Sequence, residues 1–284
     1  MRLLKRKARD KEYYYLQHSF RKNEKVITKE KYLGKEIPKN IKEIKQQFRK
    51  FLQKDLYKKL EKIKKGFQDH WKKLPESIKK KELEEISIVF TYNTNAIEGS
   101  TITLEESREI IHNHISPNKP LRDVKETEAH SRVFLEMLNQ NKKVSSQLFL
   151  EWHKNIFKDT KADIAGNYRD YLVKVADYVA PDWQDVKKLI QGLVNFANEK
   201  NTFNPVELAG IIHYRFEKIH PFGDGNGRIG RLLMNHVLWS KGYPMLIIEY
   251  KKRKSYYWAL KKTEEDFIGY FIRRYLAVHE KNFS

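Results

Sequence analysis

His220-Pro221-Phe222-Gly223-Asp224-Gly225-Asn226-Gly227-Arg228-Ile229-Gly230-Arg231 is the stretch around which the rest of this 284-residue chain is read. Gly223, Gly225 and Gly227 lack a Cβ, so they admit unusual backbone angles and let a ligand approach the main chain. Ile229, Leu232, Leu233 and Val237 follow at helical spacing and predict an amphipathic helix over 226–240. Its first turn leaves backbone N–H groups unpaired and points the positive end of the helix dipole at whatever the glycine loop holds. The expectation is an anion cradle, related in physics to other glycine-loop phosphate sites but without the Lys-Ser/Thr ending of a P-loop. Arg228 and Arg231, about one turn apart, can serve a polyphosphate from one side. Asp224 is a hard oxygen ligand suited to Mg²⁺ on phosphate oxygens. His220 can take a proton from an attacking hydroxyl near neutral pH.

Working outward, apolar periodicity predicts further helices near 122–140, 145–158, 184–199, 205–219 and 262–279, whereas Tyr171 to Val179 alternates like a short strand or hairpin arm. Thr103 with Glu106 is a capping-box pattern for a short helix to about His112. Ser77 is the expected N-cap of a helix running through Ile86, Val89 and Phe90 towards Asn95, and Pro75 separates it from what precedes. Before Pro75, the series Ile41, Ile44, Phe48, Phe51, Leu52, Leu56, Leu60, Ile63 and Phe67 predicts one long amphipathic helix with lysines outside. Residues 12–20 and 25–33, aromatic and β-branched, flank Arg21-Lys22-Asn23-Glu24 and read as a β-hairpin that Gly34 and Pro38 end. The body is mainly α with one small β element.

Charge is distributed unevenly. The chain carries 57 Lys and Arg against 37 Asp and Glu, a net +20. Residues 1–80 hold 27 of the basic and 10 of the acidic residues, so +17 of that total is N-terminal. Such a segment suits nucleic acid or another anionic surface, through counterion release and long-range attraction. A lysine-rich solvated face is the alternative. The tyrosines at 13–15 read as a packed hairpin face, with stacking on single-stranded nucleic acid as the alternative. No apolar run approaches the ~20 residues that span a bilayer, and no charged-then-apolar segment opens the chain, so a cytoplasmic location without membrane partners is expected. With no cysteine there is no disulfide, zinc–thiolate site or cysteine nucleophile. His153 and His213 are expected to face structural partners, and Ser145-Ser146 lacks the glycine frame of a hydrolase nucleophile.

The 220–231 segment resembles the signature His-x-Phe-x-Asp/Glu-Gly-Asn-Gly-Arg-x-x-Arg of Fic-domain proteins, most of which transfer AMP from ATP to a protein hydroxyl. The resemblance implies His220 as general base towards a Tyr, Ser or Thr hydroxyl and Asp224 as the holder of Mg²⁺. It implies Gly225, Asn226 and Gly227 around the α-phosphate, Arg228 and Arg231 on the outer phosphates, and Phe222 as an anchor in the core. Gly166-Asn167-Tyr168-Arg169 with the 171–179 segment is similar to the family's flap, a hairpin that lays a target segment across the site by strand addition. Tyr257 falls where members place an aromatic near the nucleoside.

Thr94-Asn95-Ala96-Ile97-Glu98-Gly99 is similar to the family's inhibitory pattern Ser/Thr-x-x-x-Glu-Gly/Asn, in the subclass whose inhibitory helix precedes the catalytic motif. That implies Glu98 pairing with Arg231 and competing with the γ-phosphate for its guanidinium. The expected organisation is a basic region over 1–80 (β-hairpin and long helix), an inhibitory segment over 81–125 and a Fic-type helical domain with a small flap over 126–284. The expected activity is self-inhibited protein adenylyltransfer with ATP as substrate and Mg²⁺ as cofactor. Auto-modification and removal of AMP are further expectations, and self-association is common among relatives with this brake. A phosphocholine or UMP carrier is another donor the motif admits. The alternative function is a nucleic-acid-associated regulator acting through residues 1–80.

Overall fold

The computed structural model describes residues 1–8, 11–22, 25–140, 142–175, 177–199 and 203–283, and the chain divides into two compact units, Met1–Lys59 and Leu60–Ser284. The first unit holds one antiparallel sheet, ordered β1 (Arg2–Ala8), β2 (Lys11–Lys22), β3 (Lys25–Gly34), and the beginning of α1 (Ile41–Lys73). β2 and β3 form the hairpin that the sequence predicts, with Leu16 opposite Lys31 and Gln17 opposite Glu30. The third strand corrects that expectation: β1 pairs Leu4 with Tyr15 and Leu3 with Leu16. Its sequence, Arg-Leu-Leu-Lys-Arg-Lys-Ala, does not alternate, and its side chains are largely exposed. Backbone pairing rather than burial recruits it, which hydrophobic pattern cannot report. Arg6 ties the three strands together. Its guanidinium forks onto Glu30 at 2.6 and 3.0 Å and lies over the Tyr15 ring, 4.9 Å from the centroid.

The second unit takes in the rest of α1, then α2 (Glu76–Ile97), α3 (Leu104–Ile111), α4 (Leu121–Asn139) and α5 (Ser146–Phe157). The hairpin β4 (Lys174–Val175) and β5 (Tyr178–Val179) follows, then α6 (Val186–Asn198), α7 (Pro205–Ile219), α8 (Asn226–Ser240), α9 (Arg253–Leu260) and α10 (Glu264–Phe283). α7 and α8 form its centre, with α6 and α10 packed on α7, and α2 packed on α4. Ile229, Leu232, Leu233, Met234 and Leu238 of α8 are fully buried, as are Val206, Ala209, Ile212 and Phe216 of α7. Burial on all sides suits a helix at the middle of a bundle.

Local signals set the helix ends that matter for the site. Asn204 caps α7 by accepting from the Val206 N–H at 2.9 Å, and Pro205 takes the first helical position, where a missing N–H costs nothing. The Thr103–Glu106 capping box that starts α3 is fully formed, at 3.2 and 2.8 Å. α2 departs from expectation: the Pro75 carbonyl accepts from the Ile78 and Lys79 N–H groups, each at 3.0 Å, so the helix starts at Glu76 and Ser77 lies in its first turn. Among the described residues no helix is long and apolar enough to cross a membrane.

Candidate active site

The glycine loop joins α7 to α8 through a sharp reversal at His220. This residue ends α7 in the left-handed region, φ 50° and ψ 60°, where residues other than glycine are uncommon. The Arg169 guanidinium fixes that turn, donating from Nε to the His220 carbonyl at 2.8 Å. Beyond it the chain is pinned into the core by Phe222, which is fully buried and stacks on the His153 ring at a 4.0 Å centroid separation. His153 also holds the next turn, its Nε2 lying 3.1 Å from the Asp224 carbonyl while its Nδ1 accepts from the Gly166 N–H at 2.9 Å. Burial, with a smaller opposing effect of the Asp224 carbonyl, lowers the His153 pKa to about 4, so the ring is neutral and structural, as the sequence reading expects.

Asn226 closes the loop on itself. Its carboxamide accepts from the Phe222 N–H at 2.8 Å and donates to the Phe222 carbonyl at 2.9 Å, so both ends of the side chain shape the cradle. Gly225 (φ 78°) precedes α8, whose N-terminus has no side-chain cap. Glycine is required here sterically, because a Cβ at 225 would lie 2.4 Å from the Phe157 ring. At Gly227 a Cβ would fall 2.2 Å from Glu98 Oε1.

The two motif arginines diverge. Arg231, 1 % exposed, donates from Nη2 to Glu98 Oε1 at 2.6 Å and to the Thr94 carbonyl at 3.1 Å, and from Nε to Thr94 Oγ1 at 2.5 Å. Its Nη1 is buried without a partner. Arg228, equally inaccessible, is bonded to Glu126 and lies over the Phe157 ring at 4.4 Å. Glu98 and Thr94 sit on the last turn of α2. Gly99, at φ 90°, donates to the Ala96 carbonyl at 3.1 Å, terminating the helix so that Glu98 faces α8. Tyr257 on α9 donates to the Ile97 carbonyl at 3.1 Å, on the same turn, with its ring partly exposed.

His220 and Asp224 carry the titratable chemistry. Burial lowers the His220 pKa below the ordinary imidazole value, against a smaller upward pull from a hydrogen bond with the Glu217 backbone, leaving a neutral ring at pH 7. Asp224 is half-exposed. Burial pushes its pKa up, but the Lys161 hydrogen bond at 2.6 Å, the Arg228 charge and the Gly225 N–H together hold it below the usual carboxylate range. It is therefore ionised and suited to a hard cation. Among the described residues no three His, Cys, Asp or Glu side chains converge on a metal position.

Sequence reasoning missed three residues of this centre, Glu126, Lys161 and Glu217, and placed Arg169 in the flap without its role. Glu126 and Lys161 line, with Glu98, Asp224 and Arg228, a polar cavity of about 190 Å³. Arg169 carries three hydrogen bonds to main-chain carbonyls, and Glu217 has a buried, unpartnered Oε1 beside Arg231. A buried acid within the apolar face of α4 was a readable signal for Glu126. Nothing local marked Lys161. The flap segment forms β4 and β5, paired Lys174 to Val179 and Val175 to Tyr178, with Tyr171, Leu172, Val175 and Val179 exposed.

The arrangement brings a neutral histidine, an ionised aspartate, an uncapped helix N-terminus and a buried arginine with a spare donor together in one glycine loop. Residues 143–238 match the Fic/DOC family. This stretch is a Fic/DOC family domain. The chain that carries the Fic domain is 32% identical over 201 residues to the protein adenylyltransferase Fic of Nematostella vectensis, covering 68% of this chain and 47% of that one. It is 29% identical over 211 residues to the protein adenylyltransferase fic-1 of Caenorhabditis elegans, covering 71% and 41%. The solved structure of Fic-1 from C. elegans superposes with a TM-score of 0.69 at 26% identity, over 86% of this chain and 77% of that one. A Fic-domain-containing signalling protein from Bacteroides thetaiotaomicron superposes with a TM-score of 0.67 at 26% identity, over 80% and 98%. The chain spans less than half the length of the two adenylyltransferase sequences.

Proposed function

We propose that this chain is a self-inhibited protein adenylyltransferase that transfers AMP from ATP to a Tyr, Ser or Thr hydroxyl of a target protein. The observation that carries this reading is Arg231. A buried guanidinium at the exit of the glycine loop keeps one donor free while Glu98, 133 residues away in sequence, takes another at 2.6 Å. A phosphate can use such a group only by competing with that carboxylate.

In this reading the first-turn N–H groups of α8 and the Gly225–Gly227 backbone bind the α-phosphate region, and the Asn226 side chain preserves the loop's shape. Arg231 receives the outer phosphates when Glu98 withdraws, whereas Arg228, anchored on Glu126, acts from behind as a fixed charge. Asp224 would hold the divalent cation, whose chemistry when bound is to offset negative charge on the phosphates. The neutral His220 imidazole accepts the target hydroxyl proton as that oxygen bonds to the α-phosphorus and the bond to pyrophosphate breaks. β4–β5 would align the target main chain by adding a strand. Tyr257 would border the nucleoside. Residues 81–125 then supply the brake and 126–284 the catalytic body. With AMP already on a target, Glu98 would orient a water for its removal.

Incubating the Glu98→Gly variant with ATP and Mg²⁺ and weighing the protein by mass spectrometry tests the reading. We expect an AMP adduct, formed on the order of tenfold or more faster than in the wild type. His220→Ala in the same background should lower transfer by roughly 10² to 10⁴ while leaving ATP binding intact. Equal labelling of wild type and Glu98→Gly removes the brake, and persistent transfer in the double variant removes His220 as the base.

A further inference from the structure

The carboxylate of Asp224 does not stand free. Lys161 follows α5 in a turned segment held by main-chain bonds: its N–H donates to the Phe157 carbonyl at 2.8 Å, and its own carbonyl accepts from the Ile164 and Ala165 N–H groups at 3.2 and 3.0 Å. From that fixed base the side chain crosses the Phe157 ring, its Nζ 4.8 Å from the centroid, and ends between two acids. Nζ lies 2.6 Å from Asp224 Oδ2 and 3.1 Å from Glu126 Oε1. Arg228 closes the group, bonded to Glu126 and 3.8 Å from Asp224 Oδ2. Two carboxylates and two cations therefore meet on one wall of the polar cavity, whose lining also carries Glu98, Asp123 and Arg122.

We propose that Lys161 is a second electrostatic lock on the nucleotide site, a tethered ammonium that occupies the cation-binding oxygen of Asp224 in the resting protein and must leave it before a divalent metal can bind. The inference rests on the reading of Asp224 as the metal-holding carboxylate. Its logic parallels that of Glu98. There a carboxylate satisfies the arginine that phosphate needs; here an ammonium satisfies the aspartate that the metal needs. With Lys161 in place, an arriving divalent cation meets a positive charge at hydrogen-bond distance from its ligand oxygen, which offsets the attraction of the Asp224 carboxylate. Glu126 gives the displaced ammonium a place to stay, since its Oε1 already lies 3.1 Å from Nζ. Lys161 thus remains in the cavity, able to turn towards a phosphate oxygen that arrives with the metal.

The test is Mn²⁺ binding to the full chain without nucleotide, followed by loss of the free-ion electron paramagnetic resonance signal. Wild type, Lys161→Met, Lys161→Gln, Lys161→Arg, Asp224→Asn, and Lys158→Met as a control for net charge are compared, each first checked for a wild-type thermal transition. Lys161→Met and Lys161→Gln should each bind Mn²⁺ about tenfold more tightly, the scale expected for removing a like charge next to a ligand oxygen. Lys161→Arg and Lys158→Met should stay at the wild-type value, and Asp224→Asn should lose the site. Unchanged or weaker binding in both neutral variants, including no binding in either, overturns the lock. Should one neutral variant fail to fold, the other decides. AMP transfer by Glu98→Gly reports separately on the proposed activity, so either conclusion can fail alone.

Discussion

Among single residues, Glu217 has the most readily measured consequence. It occupies α7 one turn before His220, with Oε1 sealed from solvent, unpaired and close to Gly230, where an added Cβ would approach it to 2.7 Å. Burial raises its pKa from 4.5 to about 7, Glu98 adds to the rise, and Arg231 and Lys218 oppose it. Arg231 acts on Glu217 through its charge alone, since Glu217 Oε1 and Arg231 Nη1 are each without a hydrogen-bond partner. A carboxyl with a raised folded pKa keeps its proton where the unfolded chain has lost it. Stability therefore falls as pH rises from 4.5 through about 7 and levels off above. Glu217→Gln removes that dependence. It should match the wild type at pH 4.5 and exceed it by about 2 kcal/mol at pH 8, read from urea unfolding at the two values. Parallel loss of stability with pH in both proteins would place the titrating group elsewhere. Lys161 shows the converse, a half-buried charge held by two acids, Asp224 and Glu126.

At the scale of elements, the loop and the flap are one construction. Arg169 donates to the His220, Tyr171 and Pro181 carbonyls at 2.8, 2.7 and 2.6 Å, and its own N–H donates to the Pro221 carbonyl at 2.9 Å. The Tyr178 hydroxyl adds a bond to the Lys218 carbonyl at 2.7 Å. One 4 %-exposed guanidinium therefore fixes both the turn that aims the histidine and the two ends of the hairpin. Lys cannot replace its planar fork. Arg169→Lys should cost about 2 kcal/mol of stability by leaving carbonyls unpaired. In the Glu98→Gly background it should raise KM for a target peptide while ATP affinity stays unchanged. An ATP defect of equal size would mean that the loop itself had collapsed. The helices flanking this construction were legible because their apolar residues recur at helical spacing and their ends carry specific signals, Asn204-Pro205 for α7 and Thr103 with Glu106 for α3. β1 and α9 were not. β1 is held by main-chain pairing, and α9 is two turns long with a charged start, so neither leaves a period to read. The motif located His220, Asp224 and Arg231 directly. The partners that tune them, Glu126, Lys161 and Arg169, converge through tertiary packing across tens of residues, which spacing along the chain does not encode.

For the whole molecule, the concentration of charge in residues 1–80 lies apart in sequence from the residues assigned to the site. The first unit presents lysines at 11, 29, 54 and 58 to solvent, together with the exposed Tyr32 ring, which lies 5.2 Å from Tyr15 and 6.2 Å from Tyr13. Exposed lysines and aromatic rings on one unit suit nucleic acid, where released counterions drive binding and bases stack on rings. A solvated lysine face has the same composition and would bind nothing in particular. Salt dependence separates the two. The full chain and a variant with Lys11, Lys29, Lys54 and Lys58 all changed to Glu are titrated against a labelled duplex and a labelled single strand over a salt series. If the first unit engages phosphates, log affinity falls linearly with log salt, and for the duplex the slope flattens by about 0.9 for each phosphate that the variant no longer neutralises. Tyr32→Ala should then weaken the single strand by about 1 to 3 kcal/mol and leave the duplex nearly unchanged. Superimposable titrations for wild type and the quadruple variant would assign these lysines to solubility alone.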